Sequence, residues 1–384
     1  MKIPEKTIRA YALKNAIHYE GKAQQGAVIS ALFNEGLKKE QIKDYIKIIS
    51  EIVKRVNSLS LEEQKKEFEK LKDKVSERET REGLPELPNV PKSGVVMRIA
   101  PSASGPLHVM HAIVADFSYL YVKKYGGKFY VRIEDTNPEN IYAPSYKLIE
   151  EEAKWLFENK ASILIQSDRM NIYYKYAEKL IKKKVAYVCT CSQEKFKEFS
   201  EFKEDCPCRN NDQKENLMRW KMMLGKSKFS YKQGTAILRF KSNMQDPNPA
   251  MRDFPLARIN ESKHPRQKNK YRVWPLMNLA VAVDDIELKM THIIRGKDHR
   301  DNAQRQEMIY KALGKKYPWC AFIGRVNFKE MELSTSQTRK DIEAGKYAGW
   351  DDPKLPFIES LKKREYTPES FMKMAEHLGI SEVD

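Results

Sequence analysis

The chain has 384 residues, enough for two to four domains with a substantial core. Apolar residues make up 41%, which suits a globular protein, and no run of about 18 of them exists to cross a membrane. The opening residues Met1-Lys2-Ile3-Pro4-Glu5-Lys6 lack the apolar core of a secretory signal, so a cytoplasmic location is expected.

The net charge of +17 points to a polyanionic partner such as nucleic acid. The lysines are spread along the chain, so no single patch marks the contact. Of 5 cysteines, Cys189, Cys191, Cys206 and Cys208 lie close together, which in a cytosolic protein argues for a metal before disulfides.

Residues 1–92 read as a helical N-terminal region. Ile8, Ala12, Leu13 and Ala16 fall at helical spacing, as do Ile42, Tyr45, Ile46 and Ile49. The charged stretch 61–74 reads as a solvated helix. The Pro-rich segment 84–91 cannot continue a helix and is taken as a linker.

From Val95 the pattern changes to alternating strand and helix. Val95–Ile99 is a short apolar run with strand character, followed by Ala100-Pro101-Ser102-Ala103-Ser104-Gly105-Pro106, a tight loop of small residues. A helix is expected to start near Leu107, because Ala112, Ala115, Tyr119 and Val122 recur at helical spacing. Strand, small-residue loop and helix N-terminus form a geometry that binds phosphate. His108 and His111 are three apart, so both can point at one anion.

A second strand is expected over 128–133, ending in Glu134-Asp135-Thr136-Asn137-Pro138. Charged residues there fit the ligand edge of a parallel sheet. Helices follow over 144–158 and 173–184. The cysteine pairs open and close what reads as an insertion, with a strand over 235–240 and a turn at 246–249. The α/β pattern resumes at Tyr271-Arg272-Val273-Trp274-Pro275-Leu276. It continues through a helix over 279–285 to a strand ending in Arg295-Gly296-Lys297-Asp298-His299. Beyond lies a second Ser/Thr loop, Leu333-Ser334-Thr335-Ser336-Gln337.

These stretches, with Tyr125-Gly126-Gly127-Lys128-Phe129, Gln166-Ser167-Asp168-Arg169 and Gly349-Trp350-Asp351-Asp352-Pro353, resemble in order the archaeal-type glutamyl-tRNA synthetases, which are class I aminoacyl-tRNA synthetases. The resemblance implies an α/β fold: a Rossmann-like class I catalytic domain with a zinc-bearing insertion. A helical region precedes it and a helical stem-contact segment follows. The expected boundaries are 1–92, 93–186 (first catalytic half), 187–270 (acceptor-end-binding insertion), 271–330 (second half) and 331–384.

The implied activity is a ligase that joins L-glutamate to tRNA-Glu, using ATP with Mg²⁺. His108 and His111, with Ser334, Ser336 and Gln337 of the second signature, are the implied catalytic residues. Pro101, Ser102, Gly105, Gly296 and Leu333 are implied in ATP binding. Arg98, Ala100, Ser102, Glu134, Met277 and Arg295 are implied in amino-acid binding. Arg suits the substrate carboxylates by its bidentate fork. Four thiolates suit a closed Zn²⁺ site, although each pair here is spaced by one residue rather than two.

The chain departs from the family at four places. Met110 stands for a Gly, Gln337 for a Lys, Met277 for a Tyr, and Ser102-Ala103 for Asn-Pro. The family's anticodon-binding part is not in the sequence, which implies a fragment, a shortened paralogue or a split enzyme with a separate anticodon-binding chain. The alternatives are a degenerate synthetase-like protein that binds tRNA or a partner, and a shortened synthetase that acts on a modified tRNA base.

Overall fold

The computed structural model describes residues 3–76, 83–324 and 334–382. The chain forms two compact units, 1–80 and 81–384.

The first unit is helical, as expected. It contains α1 (Glu5–His18), α2 (Gln25–Leu32), α3 (Ile42–Asn57) and α4 (Leu61–Leu71). Ile8, Ala12, Leu13 and Ala16 of α1 are fully buried, and they pack with Val28, Leu32, Ile49 and Val56. Ile46 instead faces solvent. Ser60 and Glu63 cap α4 reciprocally, which satisfies donors at its first turn. The charged α4 is not wholly solvated. Gln64 is buried, and its amide donates to the carbonyls of Gly21 and Val56 at 3.0 and 2.9 Å.

The second unit opens with β1 (Val95–Ile99), α5 (Val109–Tyr125), β2 (Gly127–Ile133), α6 (Ser145–Leu156), β3 (Ala161–Ile165) and α7 (Met170–Lys182). Strands β1, β2 and β3 are parallel neighbours in that order. Next come β4 (Ala186–Cys189), α8 (Gln193–Phe202), α9 (Gln213–Met223), β5 (Ile237–Phe240), β6 (Pro255–Ile259) and β7 (Val273–Pro275). They are followed by α10 (Met277–Glu287), β8 (His292–Gly296), α11 (Arg300–Ala312), β9 (Trp319–Ile323), α12 (Thr335–Glu343), α13 (Ile358–Lys363) and α14 (Pro368–Leu378).

Strands β8 and β9 pair in parallel. Thr291, just before β8, clips onto β1: its N–H donates to Val96 O at 3.0 Å, and its Oγ1 accepts from Val96 N–H at 2.9 Å. The ends of β1 and β8 therefore open side by side, at the edge where parallel α/β sheets bind ligands.

Two expectations need correction. The Pro-rich segment 84–91 is not a free linker. Leu87 is buried in the core of the second unit, Pro85 O accepts from Tyr121 Oη, and Pro88 O pairs with His292 Nε2 at 2.8 Å. The Tyr271–Leu276 run does not rejoin the parallel sheet either. β7 pairs antiparallel with β6 and completes a four-stranded sheet ordered β4-β5-β6-β7. The insertion's sheet thus runs to Pro275, past the expected boundary at 270. A short apolar run specifies burial, not strand direction, because both sheet types can bury it. The expected boundary at 330 lies outside the described residues.

Candidate functional site

The loop after β1 is held by backbone bonds from other elements. Ala103 N–H donates to Glu134 O at 3.1 Å, and Glu134 N–H donates to Pro101 O at 2.8 Å. Leu107 N–H donates to a buried carboxylate oxygen of Glu152 on α6, at 2.7 Å. Val109 N–H donates to Pro356 O, and Ile358 N–H donates to Leu107 O, at 2.9 and 3.0 Å. His108 caps α5 rather than sitting inside it.

The rings of His108 and His111 stack, with centroids 3.7 Å apart and planes 22° apart. Burial pushes the His108 imidazole down to about 4. Burial, then the neighbouring His108, pushes His111 well below its ordinary value. At neutral pH both rings are uncharged. Each therefore offers an N–H donor rather than a cation. His108 Nδ1 has no protein partner among the described residues.

A cavity of about 220 Å³ opens beside these rings, between the ends of β1 and β8. The sequence-derived residues Arg98, Ala100, His108, His111, Glu134, Met277, Arg295 and Gly296 all line it. Met110 and His299 also line it. Pro101, Ser102 and Gly105 are not among its lining. Gly105 faces the second signature instead: a Cβ there would come within 2.3 Å of Thr335 Cγ2 and 3.2 Å of the Trp350 ring. The two loops expected to share ATP thus come into contact at Gly105, where a larger residue would push against the Thr335 side chain. Ser334 caps α12, its Oγ accepting from Gln337 N–H at 3.4 Å. The Gln337 side chain turns along its own helix and donates to Asp341 Oδ1 at 3.0 Å. Ser336 is exposed, with its Oγ 3.4 Å from that of Ser334. Leu333 lies outside the described residues.

The two arginines differ in their commitments. Arg98 is 5% exposed and forks onto Asp285, at 3.4 and 3.2 Å. Arg295 is 7% exposed, and its Nη1 donates to the neutral Gln306 at 2.9 Å. Its Nε has no partner among the described residues, and no ion pair among them compensates it. Burial, then the charge of Arg98, depresses its pKa. A buried guanidinium without a carboxylate is a site waiting for an anion, because an uncompensated charge in a low dielectric is costly.

The motifs do not reveal what holds these groups. Asp284 and Asp285 end a run of buried apolar residues on α10 and are themselves buried. Asp285 grips Arg98 and Arg132, and Arg132 reaches on to Glu134 at 3.2 Å. Asp284 accepts from Arg169, Tyr173 and Gln166 at 2.7, 2.8 and 3.1 Å. Burial opposes the charge of Asp285, but Arg98 and Arg132 outweigh it and hold the carboxyl below its ordinary range. The signal present in the sequence is two adjacent acids closing an apolar helix, where a buried acid requires a cation.

The four cysteines converge as expected. The Sγ atoms of Cys189 and Cys206 lie 3.6 Å apart, Cys191 and Cys206 3.5 Å, and Cys191 and Cys208 3.9 Å. All four lie within 4.8 Å of one another. A tetrahedral Zn–S₄ site with bonds of about 2.3 Å places its sulfurs about 3.8 Å apart, so these residues fit such an ion. Thr190 N–H and Arg219 Nη1 reach Cys208 Sγ at 3.5 and 3.9 Å, and they complement thiolate charge.

Residues 94–384 match the family of class I tRNA synthetases (E and Q), catalytic domain. The chain is 42% identical over 383 residues to a glutamate–tRNA ligase of Methanothermobacter marburgensis, covering 99% of this chain and 68% of that one. It is 44% identical over 392 residues to a glutamate–tRNA ligase of Pyrococcus horikoshii, with the same coverage of each. A crystal structure of a glutamate tRNA ligase from Elizabethkingia meningosepticum shares the fold. The TM-score is 0.51 at 20% identity, over 75% of this chain and 66% of that one. With a family match over residues 94–384 and relatives above 40% identity along nearly the whole chain, the chain belongs to the class I tRNA synthetases of the E and Q group.

Proposed function

We propose that this chain activates L-glutamate with ATP and transfers it to the 3′ end of tRNA-Glu. The observation that carries this reading is Arg295, a buried cation without a carboxylate, opening on the cavity that Arg98, Glu134 and the histidine pair share. Arg98, Arg132 and Arg169 each pair with Glu134, Asp284 or Asp285, whereas Arg295 has no carboxylate partner among the described residues. Glutamate carries one net negative charge at neutral pH, and glutamine carries none.

In the first step an α-carboxylate oxygen of glutamate attacks the α-phosphorus of ATP. The bond to the bridging oxygen breaks, and pyrophosphate leaves. The N–H groups of His108 and His111 donate to the phosphate oxygens as negative charge gathers. Arg295 takes the side-chain carboxylate, Arg98 helps to fix the α-carboxylate, and Glu134 receives the α-ammonium group. In the second step the terminal ribose hydroxyl of tRNA attacks the adenylate carbonyl, and AMP leaves. Cys189, Cys191, Cys206 and Cys208 would hold Zn²⁺ as a structural ion, pinning the insertion that would meet the acceptor end. The reaction belongs in the cytoplasm. Among the described residues no helix is long and apolar enough to cross a membrane.

A second reading has specific support. Met110 and Met277 line the cavity, and Gln337 is turned to Asp341. These are features of a synthetase-like protein that binds tRNA or a partner without charging it. Glutamate-dependent exchange of pyrophosphate into ATP, measured with tRNA present, separates the two. Exchange with glutamate and not with glutamine supports the ligase. No exchange, either in the parent chain or in a Met110→Gly/Gln337→Lys variant, contradicts it.

A further inference from the structure

The arms that carry the four cysteines are held by something besides the cysteines. Tyr187 and Cys189 lie two apart on β4 and so share a face of the strand. Arg209 follows Cys208 directly. Both side chains reach the same buried carboxylate, Asp253, in the approach to β6. Tyr187 Oη donates to it at 2.6 Å, and Arg209 Nη1 donates to both of its oxygens. Ser242 donates as well, from N–H at 2.7 Å. Lys241 closes the circuit by donating from Nζ to Arg209 O at 3.0 Å.

Asp253 is fully buried and has φ of +28°, a left-handed backbone that a non-glycine residue adopts only under constraint. Every group facing its carboxylate is a donor, so the site needs an acceptor-only side chain. Nothing in the proposed charging chemistry uses it.

We propose that Asp253 is a positioning residue for the four-thiol site, locking the Cys189 and Cys208 arms together so that the thiols are preset for Zn²⁺. Resting on the reading of those thiols as a zinc site, this assigns part of the metal affinity to a residue that is not a ligand. Outer residues that orient ligands are worth about 10–100-fold in affinity.

The test is Zn²⁺ affinity of the full chain, measured by competition with a chromophoric chelator, alongside the visible spectrum of the Co²⁺-loaded protein. Asp253→Asn puts an amide donor against donors and is expected to lose about 10–100-fold in affinity. Its Co²⁺ absorption is expected to depart from that of a symmetric four-thiolate site. Tyr187→Phe removes one bond of the cluster and is expected to fall between the two. Unchanged affinity and spectrum in both variants overturn the proposal. So does unchanged Tyr187→Phe affinity if Asp253→Asn does not fold. If the parent chain itself fails to bind Zn²⁺, the zinc reading falls and the proposal falls with it.

Discussion

At the scale of single residues, the site is built from groups that would be unstable without a ligand or a neighbour. Arg295 has a neutral partner and an unpaired Nε. His108 and His111 are held uncharged by burial. Asp116 on α5 is a further case, fully buried with neither oxygen partnered among the described residues. Burial pushes its carboxyl up to about 8. The folded state therefore holds a proton that the unfolded state releases above its ordinary value of 3.8. Stability from this group is present at low pH and is lost as pH rises through that window, by up to about 1.4 kcal/mol per pH unit. Asp116→Asn keeps the shape without the charge. It is expected to raise the melting temperature at pH 7 by on the order of 3 °C and to flatten its decline between pH 5 and 8. An unchanged pH profile on calorimetry would show that Asp116 finds a partner. The strand-end arginines and the histidine pair are legible in sequence because each sits in a short motif beside a loop. Asp116 is not, since one acid on a helix reads as surface until its neighbours are known.

At the scale of elements, α10 carries more than its apolar spacing reveals. Its buried face packs in the core while Asp284 and Asp285 anchor arginines from β1, β2 and the turn before α7. The orientation of Arg98 thus depends on a helix far from it in sequence. Asp285→Asn leaves Arg98 and Arg132 buried without their shared counter-charge. The expected cost is about 3–5 kcal/mol of stability by denaturant titration, the range for breaking a buried pair. The Michaelis constant for glutamate should rise in whatever fraction remains folded. A cost below about 1 kcal/mol would mean the guanidinium groups find other partners. Elements with a strong local signal are legible in the sequence: β1, the small-residue loop and α5, where only the helix start moves to Val109. The differences fall where burial alone is visible. Three apolar residues of β7 cannot reveal their antiparallel partner. The prolines of 84–91 forbid helix but not packing against Tyr121 and His292.

At the scale of the molecule, part of the net charge of +17 lies in exposed loops of the second unit. Phe229 is 71% exposed in the loop after α9, with exposed Lys226, Lys228 and Lys232 around it. The loop 261–270 is tied to it through Glu261 N–H and Gln233 Oε1 at 2.8 Å, and adds exposed Lys263, Lys268 and Lys270. Basic residues around an aromatic ring make a platform for single-stranded nucleic acid. Replacing Lys226, Lys228 and Lys232 with Gln is expected to weaken tRNA binding. It should also reduce the slope of log affinity against log salt by about 0.7 for each phosphate no longer neutralised. An unchanged slope would move the tRNA interface elsewhere. Sequence alone shows the excess charge but not that the loops 226–232 and 261–270 are tied together, because they are far apart along the chain.

In the proposed reaction the cavity between β1 and β8 selects a singly anionic amino acid for transfer to tRNA. The decisive measurement is charging of tRNA-Glu with labelled glutamate, using the parent chain and Arg295→Gln, with glutamine as competitor. The expected result is charging by the parent chain that excess glutamine does not suppress. In Arg295→Gln, kcat/KM should fall by at least about 30-fold, as follows from removing one partner of a buried charge pair worth about 2–5 kcal/mol. Charging that glutamine competes away, or that survives Arg295→Gln unchanged, would contradict this selection.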